Sequence, residues 1–215
     1  MKTIFLAGGC FWGMQKFLDQ FGGVTFTEVG YANGPDTAPT YREVCDNSGH
    51  AETVRVEYDE AVLSLPELLR FYFTVIDPTS KNRQGMDAGI QYRTGIYYTD
   101  ADQLPAIETV CKEVERKVGA PLAVEVMPLE NFFPAELYHQ KYLDKNPGGY
   151  CHIPSRYFHL EEKKESDCSG HEKPSESGRL CLRPPQMHKY RKRKARPHRP
   201  AGGPSFCEIV YNIAE

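Results

Sequence analysis

Ile4 to Ala7 is an unbroken apolar run closed by Gly8-Gly9, as expected of a short strand buried on both faces. Beyond the glycines, Phe11, Met14, Phe17, Leu18 and Phe21 recur at helical spacing until Gly22-Gly23 stops them. The unit is strand, glycine turn, helix. Val24–Tyr31 and the cleaner alternation of Thr53–Tyr58 predict two further strands, separated by a long polar stretch, Ala32–Gly49, of the kind that serves as a functional loop or lid. Ser64-Leu65-Pro66-Glu67 is a capping box that opens a helix with Leu68, Leu69, Tyr72, Phe73 and Ile76 inward, ending before Asp77-Pro78. After a second irregular stretch, Asp77–Gln91, the pattern predicts a strand over Tyr92–Thr99 and an amphipathic helix carrying Leu104, Ile107, Val110, Cys111, Val114 and Val118, closed by Gly119. A strand over Leu122–Val126 and a last helix over Pro134–Leu143 follow, and Lys145–Gly149 is a turn delivering Tyr150-Cys151. This order predicts an α+β fold, a ferredoxin-like two-layer α/β sandwich whose mixed or antiparallel sheet is covered by helices.

Composition divides the chain. The 215 residues carry a formal net charge of -3. Residues 1–160 hold 14 Lys+Arg against 21 Asp+Glu, whereas 161–215 hold 12 against 8, with nine basic residues and no acid between Arg179 and Arg199. Six of the 16 prolines lie beyond 160, where apolar residues have no regular spacing. The expectation is one domain over 1–160 and a disordered basic tail over 161–215. Seven cysteines, at 10, 45, 111, 151, 168, 181 and 207, make an odd and irregular set that reads as thiols of a reducing compartment, the cytoplasm. No apolar run approaches the ~18–20 residues that span a bilayer, and Ile4–Ala7 is shorter than the ~7–15 residues of a signal core, so no membrane association is expected.

Gly9-Cys10-Phe11-Trp12-Gly13 is the chemically distinctive segment. A cysteine between a buried strand and the first turn of a helix faces free backbone N–H groups, which are expected to lower its pKa and yield a nucleophilic thiolate. A thiolate acting on an oxygen-bearing centre needs a proton donor, and Gly49-His50-Ala51-Glu52 offers two, a desolvated Glu52 or His50. Tyr41, Asp87 and Tyr92 lie on irregular segments that suit hydrogen bonding to a polar substrate atom. Cys111, on an apolar stripe, reads as an inert buried thiol.

Taken together these motifs resemble the peptide methionine sulfoxide reductases of the A type, specific for the S epimer. The resemblance runs from about Lys2 to about Pro154 through Gly-Cys-Phe-Trp-Gly (9–13), Gly-Tyr-Ala-Asn-Gly (30–34), Pro-Thr-Tyr-Arg-Glu-Val-Cys (39–45), Gly-His-Ala-Glu (49–52), Asp-Pro-Thr (77–79), Asn-Arg-Gln-Gly (82–85), Gln-Tyr-Arg (91–93), Tyr-His-Gln-Lys-Tyr-Leu (138–143) and Gly-Tyr-Cys (149–151). It implies that Cys10 attacks the sulfoxide sulfur while Glu52 protonates the oxygen, helped by Tyr41 and Tyr92. Phe11 and Trp12 would hold the methyl group, and Asp87 would complete the polar side. Cys10 is then left as a sulfenic acid, Cys151 condenses with it to a disulfide, and thioredoxin reduces the pair; no metal or cofactor is implied. The implied substrate is methionine-S-sulfoxide, free or in oxidised proteins, and the implied enzyme a monomer. Met86 and Ile90 flank Asp87 where the family more often has polar residues.

Cys168 and Cys181 do not lie in matching sequence, and residues 161–215 contain no Cys-x-x-Cys. A second catalytic domain is therefore not predicted. Two other readings compete with the family reading. Cys10 would equally serve a different thiol enzyme, such as a peroxidase or hydrolase. The run Tyr190-Arg191-Lys192-Arg193-Lys194 would attract nucleic acid or an acidic surface, but a basic run at a chain end is ordinarily only solvated, so nucleic acid is not an expected partner.

Overall fold

The apolar run at the start of the chain forms β1 (Lys2–Gly8), a central strand covered on both faces. Ile4 and Leu6 point to the larger core beneath the helices, and Phe5 and Ala7 to a smaller cluster behind the sheet with Ala32, Ala51 and Tyr97. The computed structural model describes residues 1–158. The chain continues through α1 (Phe11–Asp19), β2 (Val24–Ala32), α2 (Tyr41–Cys45), β3 (Ala51–Tyr58), α3 (Leu65–Val75), the two-residue strands β4 (Arg83–Gln84) and β5 (Asp87–Ala88), β6 (Thr94–Tyr98), α4 (Leu104–Val118), β7 (Glu125–Pro128), β8 (Phe132–Pro134) and α5 (Tyr142–Lys145). The main sheet has the order β7-β6-β1-β3-β2-β8, antiparallel throughout except for the β6–β7 pair. Its centre, β6-β1-β3-β2 with α1 and α3 as connections, is the βαββαβ arrangement expected from the element order.

The helices form for the reasons their sequence carries. Glu67 accepts hydrogen bonds from the Ser64 main-chain N–H (3.1 Å) and hydroxyl (2.6 Å) at the start of α3. Leu68, Leu69, Tyr72 and Phe73 are buried on its inner face, each such side chain contributing about 1.5–3 kcal/mol of transfer free energy. The Tyr72 hydroxyl donates to the Ala7 carbonyl at 2.7 Å, tying this helix to β1. Helix α4 ends where Gly119 takes the left-handed conformation (φ 72°).

Three expected elements differ. Pro134–Leu143 is not a helix: β8 ends at Pro134, α5 begins only at Tyr142, and Lys141 sits at φ 53°. Polar side chains hold the intervening segment open. Gln140 accepts from the Val29 N–H (2.9 Å) and donates to the Val29 and Ala135 carbonyls (2.8 and 3.0 Å), so it extends the edge of β2 instead of coiling. The strand expected over Leu122–Val126 lies later, in β7, because Ala123 donates to the Pro78 carbonyl (2.7 Å) and Leu122 and Val124 lean on the core. The strand expected from Tyr92 begins at Thr94, after a 3-10 turn over Ile90–Tyr92.

The polar stretch between β2 and β3 contains α2, capped by Thr40 and Glu43: Glu43 accepts from the Thr40 N–H (2.7 Å) and the Thr40 hydroxyl accepts from the Glu43 N–H (3.4 Å). Arg93 fastens this stretch to its neighbours, donating to the carbonyls of Gly49 (3.0 Å), Ile90 (3.1 Å) and Asn33 (2.9 Å) and to Glu125 (2.9 Å). Among the described residues no helix is long and apolar enough to cross a membrane. The tail expected over 161–215, with Cys168 and Cys181, lies outside the described residues.

Candidate functional site: a buried cysteine beside a protonated carboxyl

Cys10 stands at the N-cap of α1, where β1 runs into the helix. The turn requires glycine before it. Gly9 has φ +82°, and a Cβ there would lie 2.7 Å from Cβ of Gln84. Gln84 in turn receives the Asp77 N–H (2.7 Å) and donates to the Asp77 carbonyl (2.9 Å), so the irregular stretch after α3 packs directly on the nucleophile turn.

The expected lowering of the Cys10 pKa is not what the surroundings produce. Burial pushes the thiol well above its ordinary range, and the neighbouring carboxyls of Glu52 and Asp87 push the same way, against a downward pull from the Trp12 main-chain N–H. The helix end does aim an amide at the sulfur, but a side chain only 2 % exposed loses more from desolvation than one amide restores. The resting state is a thiol.

Glu52, near the start of β3, is buried and accepts the Phe11 N–H at 3.0 Å. Burial carries its carboxyl up to about 8, against the stabilising Phe11 amide. At neutral pH it therefore holds a proton inside the site. His50, the other expected donor, is engaged elsewhere: its Nδ1 pairs with the Ser48 hydroxyl (2.9 Å) and its Nε2 with the Pro35 carbonyl (3.0 Å), which pins the loop.

Tyr41, the first residue of α2, and Tyr92, the last of the 3-10 turn, are both buried and both feel the Glu52 charge. Burial first, and that charge second, raise their pKa values, so both remain O–H donors. Asp87, on β5, accepts the Tyr150 hydroxyl at 2.9 Å on Oδ1, leaves Oδ2 without a hydrogen-bond partner 3.8 Å from His152 Nδ1, and is raised by burial to about 6. Phe11 and Trp12 form the apolar wall. Phe11 lies 5.9 Å from the Tyr31 ring and 5.2 Å from His139; Trp12 stacks on Tyr142 at 3.7 Å.

Cys151 is half-buried beside α1, with its sulfur 2.8 Å from where a Cβ on Gly13 would sit. Cys151 is close enough for its charge to add to the cost of ionising Cys10, and both are free thiols. Burial raises the Cys151 pKa while Lys16 draws it down. Cys10, Phe11, Trp12, Tyr41, Glu52, Asp87, Tyr92 and Cys151 thus lie around one buried centre, and His50 does not join them. Cys111, by contrast, sits apart on α4 with its thiol pushed by burial to about 11.

Sequence reasoning missed His139, Glu136 and Tyr31. His139 accepts the Trp12 indole N–H on Nδ1 (3.0 Å), which places its own proton on Nε2, and burial lowers it to about 4 so that it stays neutral. Glu136 accepts the Tyr31 hydroxyl (2.7 Å) and the Tyr41 N–H (3.0 Å), holding α2 against the site. The Tyr-His-Gln motif carried the signal for His139. Nothing local marked Glu136. Among the described residues no three His, Cys, Asp or Glu side chains are grouped to hold a metal.

A buried cysteine, a second thiol nearby and a buried protonated carboxyl on an α+β sandwich are the parts of a thiol oxidoreductase. Comparison with known proteins narrows that class. The profile of the family described as peptide methionine sulfoxide reductase matches residues 2–169. The peptide methionine sulfoxide reductase MsrA of Lachnoclostridium phytofermentans is 58% identical over 153 residues, covering 71% of this chain and 92% of that protein. Among solved structures, reduced Mxr1 of Saccharomyces cerevisiae superposes with a TM-score of 0.67 at 38% identity, over 70% of this chain and 88% of the other. Methionine sulfoxide reductase A of Corynebacterium diphtheriae does so with a TM-score of 0.63 at 33% identity, over 72% and 83%. The chain belongs to the A-type peptide methionine sulfoxide reductase family, whose members reduce methionine-S-sulfoxide through cysteine chemistry.

Proposed function

We propose that Cys10 is the nucleophile and Glu52 the general acid of this reduction. The observation that carries the assignment is the Glu52 carboxyl, buried, protonated up to about pH 8 and bonded to the main chain of the residue that follows the cysteine. The sulfoxide oxygen accepts the Glu52 proton with hydrogen bonds from Tyr41 and Tyr92. That makes the sulfoxide sulfur electrophilic. As Cys10 sulfur bonds to it, the thiol proton passes back to the vacated carboxylate, so a high thiol pKa costs little once substrate is bound. The S–O bond and the new S–S bond then break as the hydroxyl transfers to the Cys10 sulfur, so methionine departs reduced by two electrons and Cys10 becomes a sulfenic acid. Phe11 and Trp12 enclose the methyl group and Asp87 supplies the polar wall.

The Cys151 thiol attacks the sulfenic sulfur, water leaves, and a Cys10–Cys151 disulfide remains. A dithiol protein of the thioredoxin type returns both cysteines to thiols, which suits a cytoplasmic enzyme. The test is an epimer-resolved assay with a dithiol reductant. The wild type converts S-sulfoxide and leaves R-sulfoxide untouched, and Cys10→Ser converts neither. Ordinary turnover by Cys10→Ser would sink the assignment.

A further inference from the structure

Two residues paired across the β4–β5 hairpin adjoin different cysteines. Gln84 and Asp87 are register partners. Gln84 packs on the turn that precedes Cys10, where its Cβ leaves no room for a side chain on Gly9. Asp87 accepts the hydroxyl of Tyr150, the residue before Cys151, at 2.9 Å. His152, the residue after Cys151, closes the arrangement. Its Nδ1 lies 3.8 Å from Asp87 Oδ2, its Cβ 3.5 Å from where a Cβ on Gly85 at the hairpin tip would sit, and its Cε1 3.2 Å from where one on Gly9 would sit. The residues on both sides of Cys151 therefore turn to one buried carboxyl, and the hairpin that bears it also buttresses the turn of Cys10.

We propose that Asp87 is a positioning residue of the second half-reaction, gripping the chain on either side of Cys151 and so setting this thiol against the first turn of α1 beside Cys10. The inference rests on the roles assigned above to the two cysteines, and it gives the carboxyl that walls the centre in the first step a separate duty in the next. Three observations support it. The gripped thiol faces Gly13, three residues beyond Cys10 and so on the same side of the helix, and its charge is felt at the Cys10 sulfur. The segment has no regular structure of its own to hold it there, since residues 149–154 belong to no helix or strand. Asp87 is raised by burial only to about 6 and is ionised at neutral pH, so the Tyr150 hydroxyl gives it a charge-assisted hydrogen bond, stronger than one between neutral groups.

The experiment measures a partition. The full chain reacts with an S-sulfoxide in the absence of reductant and in the presence of dimedone, which traps the Cys10 sulfenic acid in competition with Cys151; mass spectrometry then gives the ratio of adduct to Cys10–Cys151 disulfide. Tyr150→Phe deletes the hydroxyl that Asp87 accepts and keeps the ring. It is expected to release methionine at about the wild-type rate and to raise the adduct-to-disulfide ratio roughly three- to tenfold. Asp87→Asn retains an acceptor oxygen and Asp87→Ala does not, so the ratio should rise less in the asparagine variant, whatever either does to methionine release. A second readout needs no turnover. In the Cys10→Ser background, Tyr150→Phe and Asp87→Ala should each speed the alkylation of Cys151 by iodoacetamide while Cys111 reacts as before. An unchanged or lowered ratio in Tyr150→Phe overturns the proposal, as does a fall in methionine release as large as the rise in the ratio, which would place Tyr150 in the first step. Equal ratios in the two Asp87 variants, or unchanged alkylation of Cys151, overturn it too. A wild type that releases no methionine removes the reading of the site, and the proposal falls with it.

Discussion

The two cysteines sit in unlike surroundings. Cys10 is fixed by regular structure: a central strand runs into it, a helix leaves from it, and Glu52 on the adjoining strand reaches the next amide. Cys151 belongs to an irregular segment held by side-chain contacts, the Tyr150 hydroxyl on Asp87 and the His152 ring beside the Gly9 turn. The difference matches the chemistry proposed for them. The first step needs a nucleophile, a proton donor and a substrate held within a fraction of an ångström, which strands and helices supply. The second needs a thiol that can approach a sulfur which has just changed, and a segment with few regular hydrogen bonds gives way at low cost.

Removing the second thiol is the most severe way to break the comparison. Cys151→Ser should release about one methionine per enzyme at the wild-type rate and then stop with a thioredoxin-type reductant, as quenched-flow counting of methionine would show. Sustained turnover would mean that another thiol resolves the sulfenic acid. Glu52→Gln attacks the fixed side. Loss of a positioned proton donor should lower the single-turnover rate about 10²–10⁴-fold and remove the fall in rate expected of the wild type as Glu52 deprotonates above about pH 8.

A smaller effect is expected of Gly13→Ala, which joins the two regions. A methyl group there meets the Cys151 sulfur at 2.8 Å. Disulfide formation should slow several-fold while the methionine burst stays near wild type, and thermal stability should change by no more than about 1 kcal/mol, since alanine is the better helix former. A burst slowed as much as the disulfide step would place the disturbance at Cys10 instead.

The last expected effect is on stability and not on rate. Glu52 is raised in the folded chain from 4.5 to about 8, so between those values the native state holds a proton that the unfolded chain has released. Its contribution is fully present below pH 4.5, falls as pH rises, and levels off above about 8. Asp87, raised from 3.8 to about 6, adds to the fall in the lower part of that window. The Tm advantage of Glu52→Gln over wild type should therefore grow from pH 5 to 8 by the equivalent of a few kcal/mol at most. A constant difference would show that Glu52 is not a buried acid.

Elements whose stability is written locally were legible. The apolar run of β1, the helical spacing of α1, the capping box of α3 and the Gly119 stop each specify structure within a few residues. So was the turn that carries Cys10, because its glycine geometry is local. What escaped depends on distant partners. Residues 135–141 look helical by spacing, yet Gln140 and Glu136 bond to β2 and α2, about a hundred residues away in sequence. The Cys10 pKa was misjudged for the same reason: the helix end is visible in the sequence, but the burial that outweighs it is contributed by the whole fold. Thr40-x-x-Glu43 is a capping signature in the sequence, but the polar stretch around it carries no apolar spacing to mark α2 as a helix.

One guanidinium gathers much of the rim. Arg93 ties the carbonyls of Asn33, Gly49 and Ile90 together, so the ends of the loop that carries Tyr41 and the turn that carries Tyr92 share a single fastening. The two phenols are thereby coupled mechanically. Loss of the Arg93 contacts would loosen both segments at once, leaving the Tyr41 loop to contacts such as those of Glu136 and His50.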